Sequence, residues 1–190
     1  MIGSSTHSTP LVECFRGAQV EAYLTALAKL RISVFRAFPY LYDGDLAYEE
    51  KYLATYARSP DSVFVLAFDG YDMIGASTGI PLAHDGEAFQ RPFLERGMAV
   101  EDVFYFGESV LLPQYRGLGI GHRFFDERES HARALGRFRW TAFAAVDRCE
   151  LVGVVQMKER HADLALGLGD SRQVEKQGED HQGAAADHQI

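Results

Sequence analysis

The residues with the clearest chemical meaning lie at positions 114–121, which read QYRGLGIG. A strongly apolar run at 103–112 precedes them and an amphipathic stretch follows, so they are predicted to form a turn between a strand and a helix. The turn has glycines at three alternate positions: Gly117, Gly119 and Gly121. Glycines leave the N–H groups of the helix N-terminus uncovered, and the helix dipole and Arg116 add positive charge. The pattern predicts a binding site for a pyrophosphate.

The glycine spacing separates the classes of pyrophosphate site. A dinucleotide-binding fingerprint would need glycines at 117, 119 and 122, but position 122 is His. A nucleotide triphosphate loop needs Gly-Lys followed by Ser or Thr, and no Lys occurs from residue 52 to residue 157. A turn that is rich in glycine only for tight packing is a further alternative. The strand before it, the helix after it and Pro113 between them favour the anion site over that alternative.

The arrangement Arg/Gln-x-x-Gly-x-Gly, with Arg116, Gly119 and Gly121 at its defined positions, resembles the GNAT acyltransferase superfamily. The resemblance covers roughly residues 11–147, and its most specific part is ESVLLPQYRGLGIGHRFF at residues 108–125. It implies an α/β fold with a mixed central sheet flanked by helices. It also implies an N-acetyltransferase that transfers an acetyl group from acetyl-CoA, its co-substrate, to an amine by direct attack.

The same resemblance, together with the anion site, suggests which residues bind acetyl-CoA. The expected pyrophosphate ligands are Arg116, Gly117, Leu118, Gly119, Ile120 and Gly121. Main-chain groups of Leu111 and Leu112 are expected to hydrogen-bond the pantetheine arm, and a backbone N–H there would polarise the thioester carbonyl. The side chains of the two leucines are expected to be ordinary strand core.

Glu108 is the candidate general base. It is an ionisable residue inside the apolar run FYFGESVLLP, where burial would raise a carboxyl pKa towards neutrality. The alternatives are a carboxylate satisfied by the backbone or by a basic partner, and one that points to solvent. In the family a Tyr in the helix after the fifth strand protonates the leaving thiolate, but this sequence has no Tyr beyond Tyr115. A catalytically silent acyl-CoA-binding protein, or a truncated or frameshifted relative, is therefore the alternative function.

In the resembled family the acceptor is recognised largely by the loop between the first two helices, here residues 38–45. Tyr40, Tyr42, Asp43 and Asp45 in this loop could hold an ammonium group by charge and cation–π attraction. The alternative is a polar loop whose aromatic rings anchor it to the core. The expected acceptor is a small-molecule or peptide amine whose identity no motif reveals.

Apolar periodicity predicts the elements that position the turn. Their order is strand, helix, helix, three strands, helix, strand, which is also the order in the resembled family. Strands are predicted at residues 11–15, 62–68, 73–80, 103–112 and 139–146. Helices are predicted near residues 20–34, 47–57 and 122–135, with a shorter helical pattern in the insertion at 84–102.

Composition limits the class of protein. A chain of 190 residues, 47% of them apolar, suits a single domain with a sizeable core. No apolar run approaches the roughly 18 residues of a membrane span, and the N-terminus lacks the features of a secretory signal. The net charge of −8 argues against a nucleic-acid partner, which would require a basic face. Cys14 and Cys149 form no redox or metal motif, so free thiols in a reducing cytoplasm and no metal site are expected.

The composition changes near residue 148. Residues 149–190 contain no aromatic residue and no proline. The predicted division is an incomplete GNAT-like acyl-CoA-binding domain at 1–148 and an atypical, partly disordered tail at 149–190. The family's C-terminal helix and strands are expected to be missing or replaced, although residues 151–157 could form a short strand or helix. An out-of-frame reading of the gene and a natural variant tail both explain the break, and an open sheet edge would favour pairing with another chain, for example as a homodimer.

Overall fold

The computed structural model describes residues 9–37, 40–146 and 153–159. Within them, strands form one six-stranded sheet: β1 Leu11–Arg16, β2 Val63–Asp69, β3 Asp72–Pro81, β4 Val103–Leu111, β5 Trp140–Val146 and β6 Gly153–Glu159. The α-helices of this part are α1 Leu24–Phe35, α2 Leu46–Arg58, α3 Glu87–Leu94 and α4 Ile120–Leu135. The elements up to β5 follow the predicted order.

The strands lie in the sheet in their order along the chain. All neighbouring pairs are antiparallel except β4 and β5, which are parallel and are joined through α4. A parallel pair needs such a crossover connection, and a helix is its usual form. The sheet is therefore mixed and flanked by helices, which confirms the predicted fold class.

Each face of the sheet has its own apolar core. On one face, Leu27 of α1 and Leu53 of α2 pack against sheet residues such as Tyr105. On the other face, Phe124 of α4 packs into a cluster with Phe104 of β4. Residues that follow one another along a strand alternate between faces, so β4 contributes Phe104 and Tyr105 to opposite cores.

Local sequence explains where the helices begin and end. The Asp45 side chain accepts a hydrogen bond from the Tyr48 N–H (2.8 Å) and so caps the N-terminus of α2. Gly136, with φ of +75°, ends α4 in the left-handed conformation that glycine adopts without strain. The predicted first helix differs in one respect, because its beginning, Gly17–Tyr23, is a 3₁₀ segment and the α-helix starts at Leu24.

The segment after β5 contains a strand. Of the two options for residues 151–157, the strand is the one observed, as Gly153–Glu159, which pairs antiparallel with β5. The predicted disorder of the tail falls on positions that lie, apart from 153–159, outside the described residues. The division of the chain at residue 148 stays a prediction.

Candidate functional site

The glycine turn lies where the sequence predicts it, between β4 and α4. Gly117 and Gly119 have φ of +81° and +78°, which other residues adopt only with strain, and Gly119 is the residue that precedes the first turn of α4. A Cβ added at Gly117, Gly119 or Gly121 would meet no atom within 4 Å. The outer surface of the turn is therefore open, and the backbone can approach a ligand closely.

The electrostatics of the turn favour an anion. The first N–H groups of an α-helix have no intrahelical partner, and the first turn of α4 contains no acidic residue. Arg116, His122 and Arg123 are exposed around it. The Arg116 N–H donates to the Pro113 carbonyl (3.2 Å), which closes the turn. The structure thus brings the predicted pyrophosphate ligands together at one helix N-terminus.

Strand β4 separates from β5 shortly before this turn. The parallel ladder ends at the pair Phe106 and Phe143, although β4 continues to Leu111 and β5 to Val146. The Tyr105 hydroxyl hydrogen-bonds the backbone of Ala144, the first β5 residue beyond the ladder. Within the described residues, positions 107–111 therefore pair with β3 on one side only.

Leu111 and Leu112, which are both predicted to contact the pantetheine arm, have different main-chain surroundings. Leu111 lies on the separated part of β4, as expected of such a contact. The main chain of Leu112 is already engaged, because its N–H donates to the Ile74 carbonyl (2.9 Å) and its carbonyl accepts from the Tyr115 N–H (3.0 Å). The assignment of Leu112 is therefore corrected: its N–H is not available to polarise a thioester.

A β-bulge marks the point of separation. Ser77 pairs with Ser109 and Gly79 with Phe106, so a single residue of β3, Thr78, lies opposite two residues of β4, Gly107 and Glu108. A bulge of this kind re-aims the side chains that follow it. As a result the Glu108 side chain lies on the same face as α1, while Ser109, on the other face, hydrogen-bonds Ser77 (2.8 Å between the hydroxyl oxygens).

Glu108 is held in a buried ion-pair cluster. Arg31 of α1 forms ion pairs with both Glu108 and Glu49, the latter at 2.5 Å between Nε and Oε2. Burial alone would lower the pKa of Arg31, but the two carboxylates raise it above its ordinary value. Of the alternatives for Glu108, the structure shows the carboxylate with a basic partner. Its role as a base stays a prediction.

Two residues beside the bulge were missed by the sequence reasoning. The Tyr56 hydroxyl of α2 donates to Asp85 Oδ2 (3.0 Å), and Asp85 Oδ1 accepts from the Gly86 N–H (2.8 Å). Burial raises the pKa of both Tyr56 and Asp85. In the sequence Tyr56 is one aromatic residue on an apolar helix face, so only the packing of α2 on the sheet reveals the pair.

A buried arginine supports the bulge from the α4 side. Arg128 is 1% exposed and donates to the carbonyls of Thr78 (3.3 Å) and Phe124 (3.1 Å). Its guanidinium lies over the Phe106 and Phe125 rings, with 4.5 and 4.6 Å to their centroids. Burial lowers its pKa to about 10, so it stays protonated at neutral pH. Arg128 therefore supplies a hydrogen bond to the β3 carbonyl that lies opposite the bulge.

The polar residues of the loop between α1 and α2 have structural contacts. Asp45 caps α2, and Asp43 pairs with Arg36 (3.2 Å) where both side chains are exposed. Tyr40 packs on Phe35, with 4.9 Å between ring centroids. These contacts agree with the alternative in which the loop is anchored to the core, and recognition of an ammonium group by this loop stays a prediction.

Other classes of site were searched for within the described residues. No group of three or more His, Cys, Asp or Glu side chains there could hold a metal ion. Cys14 is an exposed free thiol. The described helices include none that is long and apolar enough to cross a membrane.

Comparisons with known proteins agree with this architecture. No family model matches the sequence, and no curated protein matches it either. Among solved structures, an N-acetyltransferase from Staphylococcus aureus is similar with a TM-score of 0.53 and 14% identity, over 75% of this chain and 77% of that one. An acetyltransferase from Streptococcus agalactiae is similar with a TM-score of 0.51 and 15% identity, over 73% and 76%.

A third similar structure is the aminoglycoside acetyltransferase AAC(6')-Iy in complex with a bisubstrate analogue, CoA-S-monomethyl-acetylneamine. Its TM-score is 0.50 and its identity 17%, over 74% of this chain and 82% of that one. At such identities the likeness concerns the fold. Over about three quarters of its length, the chain has the α/β fold of the GNAT acetyltransferases.

Proposed function

We propose that the protein is an N-acetyltransferase that transfers an acetyl group from acetyl-CoA directly to an amine, without a covalent enzyme intermediate. One observation carries the proposal: an open glycine turn at the N-terminus of α4 directly follows the part of β4 that has left β5. The turn suits a pyrophosphate, and the separated strand suits an extended chain of amides.

The turn fits the diphosphate of CoA in shape and charge. Its three glycines face open space and carry no side chain of their own that could cover the N–H groups of the turn. Arg116 is exposed beside them and can pair with phosphate oxygens. Pyrophosphate ligands are therefore proposed as predicted: Arg116, Gly117, Leu118, Gly119, Ile120 and Gly121.

The separated segment of β4 fits the pantetheine arm. A strand without a neighbour presents N–H and C=O groups that an extended ligand can pair with, as peptides do when they add to a sheet edge. Positions 107–111 are such a segment, and we assign Leu111 to this contact. Leu112 is not included, since its main-chain groups are engaged within the protein.

Acetyl transfer requires that the amine and the thioester be held in the correct relative position and that the amine lose a proton. The amine nitrogen attacks the thioester carbonyl carbon, the C–S bond breaks, and sulfur leaves with the electron pair. Holding both reactants in one cleft supplies much of the rate enhancement. The amine must also lose a proton, and Glu108, predicted from the sequence, is one candidate acceptor of it.

The acceptor class is a primary amine. AAC(6')-Iy, whose fold is similar, was solved with an analogue that joins CoA to an acetylated neamine. This likeness concerns the fold, so it only recommends an aminoglycoside as one probe. A suitable panel is kanamycin, spermidine and n-butylamine.

Two measurements test the proposal. Calorimetric titration with CoA and acetyl-CoA should show binding, and the absence of both heat and a thermal shift would overturn it. Single-turnover release of the CoA thiol should then accelerate when an amine of the panel is added. Binding without acceleration by any amine would instead support the catalytically silent acyl-CoA-binding protein.

A further inference from the structure

Three polar groups meet at the β-bulge on the face covered by α1 and α2. They are the hydroxyl of Tyr56, the carboxylate of Asp85 and the hydroxyl of Thr78. Tyr56 is 1% exposed, Asp85 9% and Thr78 0%. Tyr56 and Asp85 share a hydrogen bond of 3.0 Å, in which the phenol donates.

Gly107 brings these groups to the backbone of β4. A Cβ on Gly107 would lie 2.4 Å from Thr78 Oγ1 and 3.2 Å from the Tyr56 hydroxyl oxygen. Both hydroxyls therefore lie against β4 one residue beyond the last pair of its ladder with β5. Gly107 is also the first residue of the segment of β4 to which the proposed function assigns the pantetheine arm.

Thr78 Oγ1 is an unpartnered polar atom. It is fully buried, and among the described residues it has no hydrogen-bond partner. Buried hydroxyls are nearly always hydrogen-bonded, and one without a partner is a sign of a missing ligand or water. A hydroxyl can accept a hydrogen bond from an N–H group, so an amine is one class of ligand that could supply the missing partner.

Asp85 and Glu108 differ in the groups that hold their carboxylates. A proton on Glu108 would break its ion pair with the buried Arg31. The two oxygens of Asp85 instead accept from neutral donors, the Tyr56 hydroxyl and the Gly86 N–H. Protonation of Asp85 therefore breaks no ion pair, and burial already raises its pKa towards the range useful in general base catalysis.

We propose that Tyr56 and Asp85 together accept the proton of the attacking amine, while Thr78 Oγ1 hydrogen-bonds its nitrogen. The inference rests on the proposed acetyl transfer. As the C–N bond forms, the amine proton passes to the Tyr56 oxygen and the phenolic proton of Tyr56 passes to Asp85 Oδ2. The C–S bond breaks with its electron pair on sulfur. Asp85, now neutral, returns the proton through Tyr56 to the departing thiolate.

This relay also supplies a general acid. The Tyr that has this role in the resembled family has no counterpart here, because the sequence has no Tyr beyond Tyr115. Tyr56 is neutral before and after the transfer, in keeping with a pKa that burial raises well above its ordinary value. One pair of residues thus removes the proton from the amine and delivers it to the thiolate.

Other groups surround the pair. Tyr52, one turn earlier on α2, donates to the Tyr56 hydroxyl at a long 3.4 Å. Glu108 and Tyr105 of β4 interact electrostatically with Asp85. The charge of Glu108 further raises the pKa of Asp85, and the charge of Asp85 raises the pKa of Tyr105. From the start of α3, Gln90 donates to the main-chain carbonyl of Asp85 (2.7 Å) and is not ionisable.

The test compares four single variants of the full chain, and one double variant, with wild type. Tyr56→Phe and Asp85→Asn interrupt the relay, and Glu108→Gln removes the other candidate base. Tyr48→Phe is the matched control, because it removes an exposed phenol from the same helix. Amine-dependent thiol release is measured against pH with kanamycin, spermidine and n-butylamine. CoA affinity and the melting temperature show that each variant is folded.

We expect Tyr56→Phe and Asp85→Asn to lower the rate about 100-fold or more while CoA affinity is retained. Once the rates are divided by the fraction of unprotonated amine, the remaining fall in rate towards acid pH should persist in Glu108→Gln and disappear in Asp85→Asn. The double variant of Tyr56 and Asp85 should be no slower than either single variant, since the two residues act as one unit. Tyr48→Phe should remain close to wild type.

Several results would overturn the inference. If Glu108→Gln abolishes the acid limb and Asp85→Asn keeps it, Glu108 is the base and the relay is wrong. A folded Tyr56→Phe variant with wild-type rates, or an equal loss of rate in Tyr48→Phe, has the same consequence. If wild type binds CoA but no amine accelerates thiol release, the proposed function fails first and the inference falls with it.

Discussion

A single charge in the glycine turn should weaken CoA binding while it stabilises the protein. Gly121 lies in the first turn of α4, its φ is not positive, and a Cβ there would meet nothing within 4 Å. Gly121→Asp therefore introduces a carboxylate without backbone strain or a steric clash. Because the first turn has no acidic residue, the new charge acts on the helix N-terminus without a like-charged neighbour in that turn.

The two expected effects have opposite signs. An aspartate in the first turn of a helix stabilises it by about 0.3–1 kcal/mol through the helix dipole. The same charge roughly 5 Å from one phosphate charge costs about 0.8 kcal/mol at the dielectric constant of water and about 3.3 kcal/mol at an effective constant of 20. These values correspond to a Kd for CoA raised between about 4-fold and about 250-fold.

Calorimetric titration with CoA and urea unfolding of the same samples measure both effects. Gly121→Asn is the matched control, since it adds nearly the same volume without charge and should change the Kd much less. Added salt should reduce the difference between the two variants because it screens charge. Equal CoA affinity for wild type and Gly121→Asp would refute the assignment of the turn to the pyrophosphate.

Two further predictions concern buried charge. Arg31→Met should lower the free energy of unfolding by about 3–5 kcal/mol, because it leaves the carboxylates of Glu49 and Glu108 buried without their cation. Urea unfolding measures this loss. Adding Glu108→Gln to Arg31→Met should restore part of the lost stability, because it removes one of the two buried charges. Burial, and to a lesser extent Arg16, lowers the pKa of His131, so its contribution to stability is present above pH of about 6.5 and is lost as the pH falls through its folded-state pKa. Melting temperatures should therefore fall more between pH 7.5 and 5.5 for wild type than for His131→Gln, and equal falls would contradict the assignment.

Much of the fold could be predicted because it depends on local pattern. Alternating and helical apolar spacing predict β1 to β5 and the helices to within a few residues. The glycine turn is predictable for the same reason, since positive φ and a helix N-terminus are properties of consecutive residues. Gly119 and Gly136, which begin and end α4 in the left-handed conformation, are visible as glycines in the sequence.

The polar side of the site could not be predicted, because it is built from residues far apart in the chain. Glu108 pairs with Arg31, and Tyr56 reaches Asp85, only after α1 and α2 pack on the sheet. Alternating apolar and polar residues predict a regular strand, so this pattern cannot predict the bulge at Gly107. The bulge decides the face of the sheet on which Glu108 lies. The hydrogen bond from the Leu112 N–H to the Ile74 carbonyl likewise depends on the register between β3 and the chain that follows β4.

The glycine turn and the order of the elements can thus be predicted from the chain alone, because both follow from the conformational preferences and apolar spacing of neighbouring residues. Packing of the helices on the sheet determines which carboxylate is held in an ion pair, that of Glu108, and which is held by neutral donors, that of Asp85. That difference is set by burial and by partners that become neighbours through packing, and these are what shift the proton affinity of a carboxyl group.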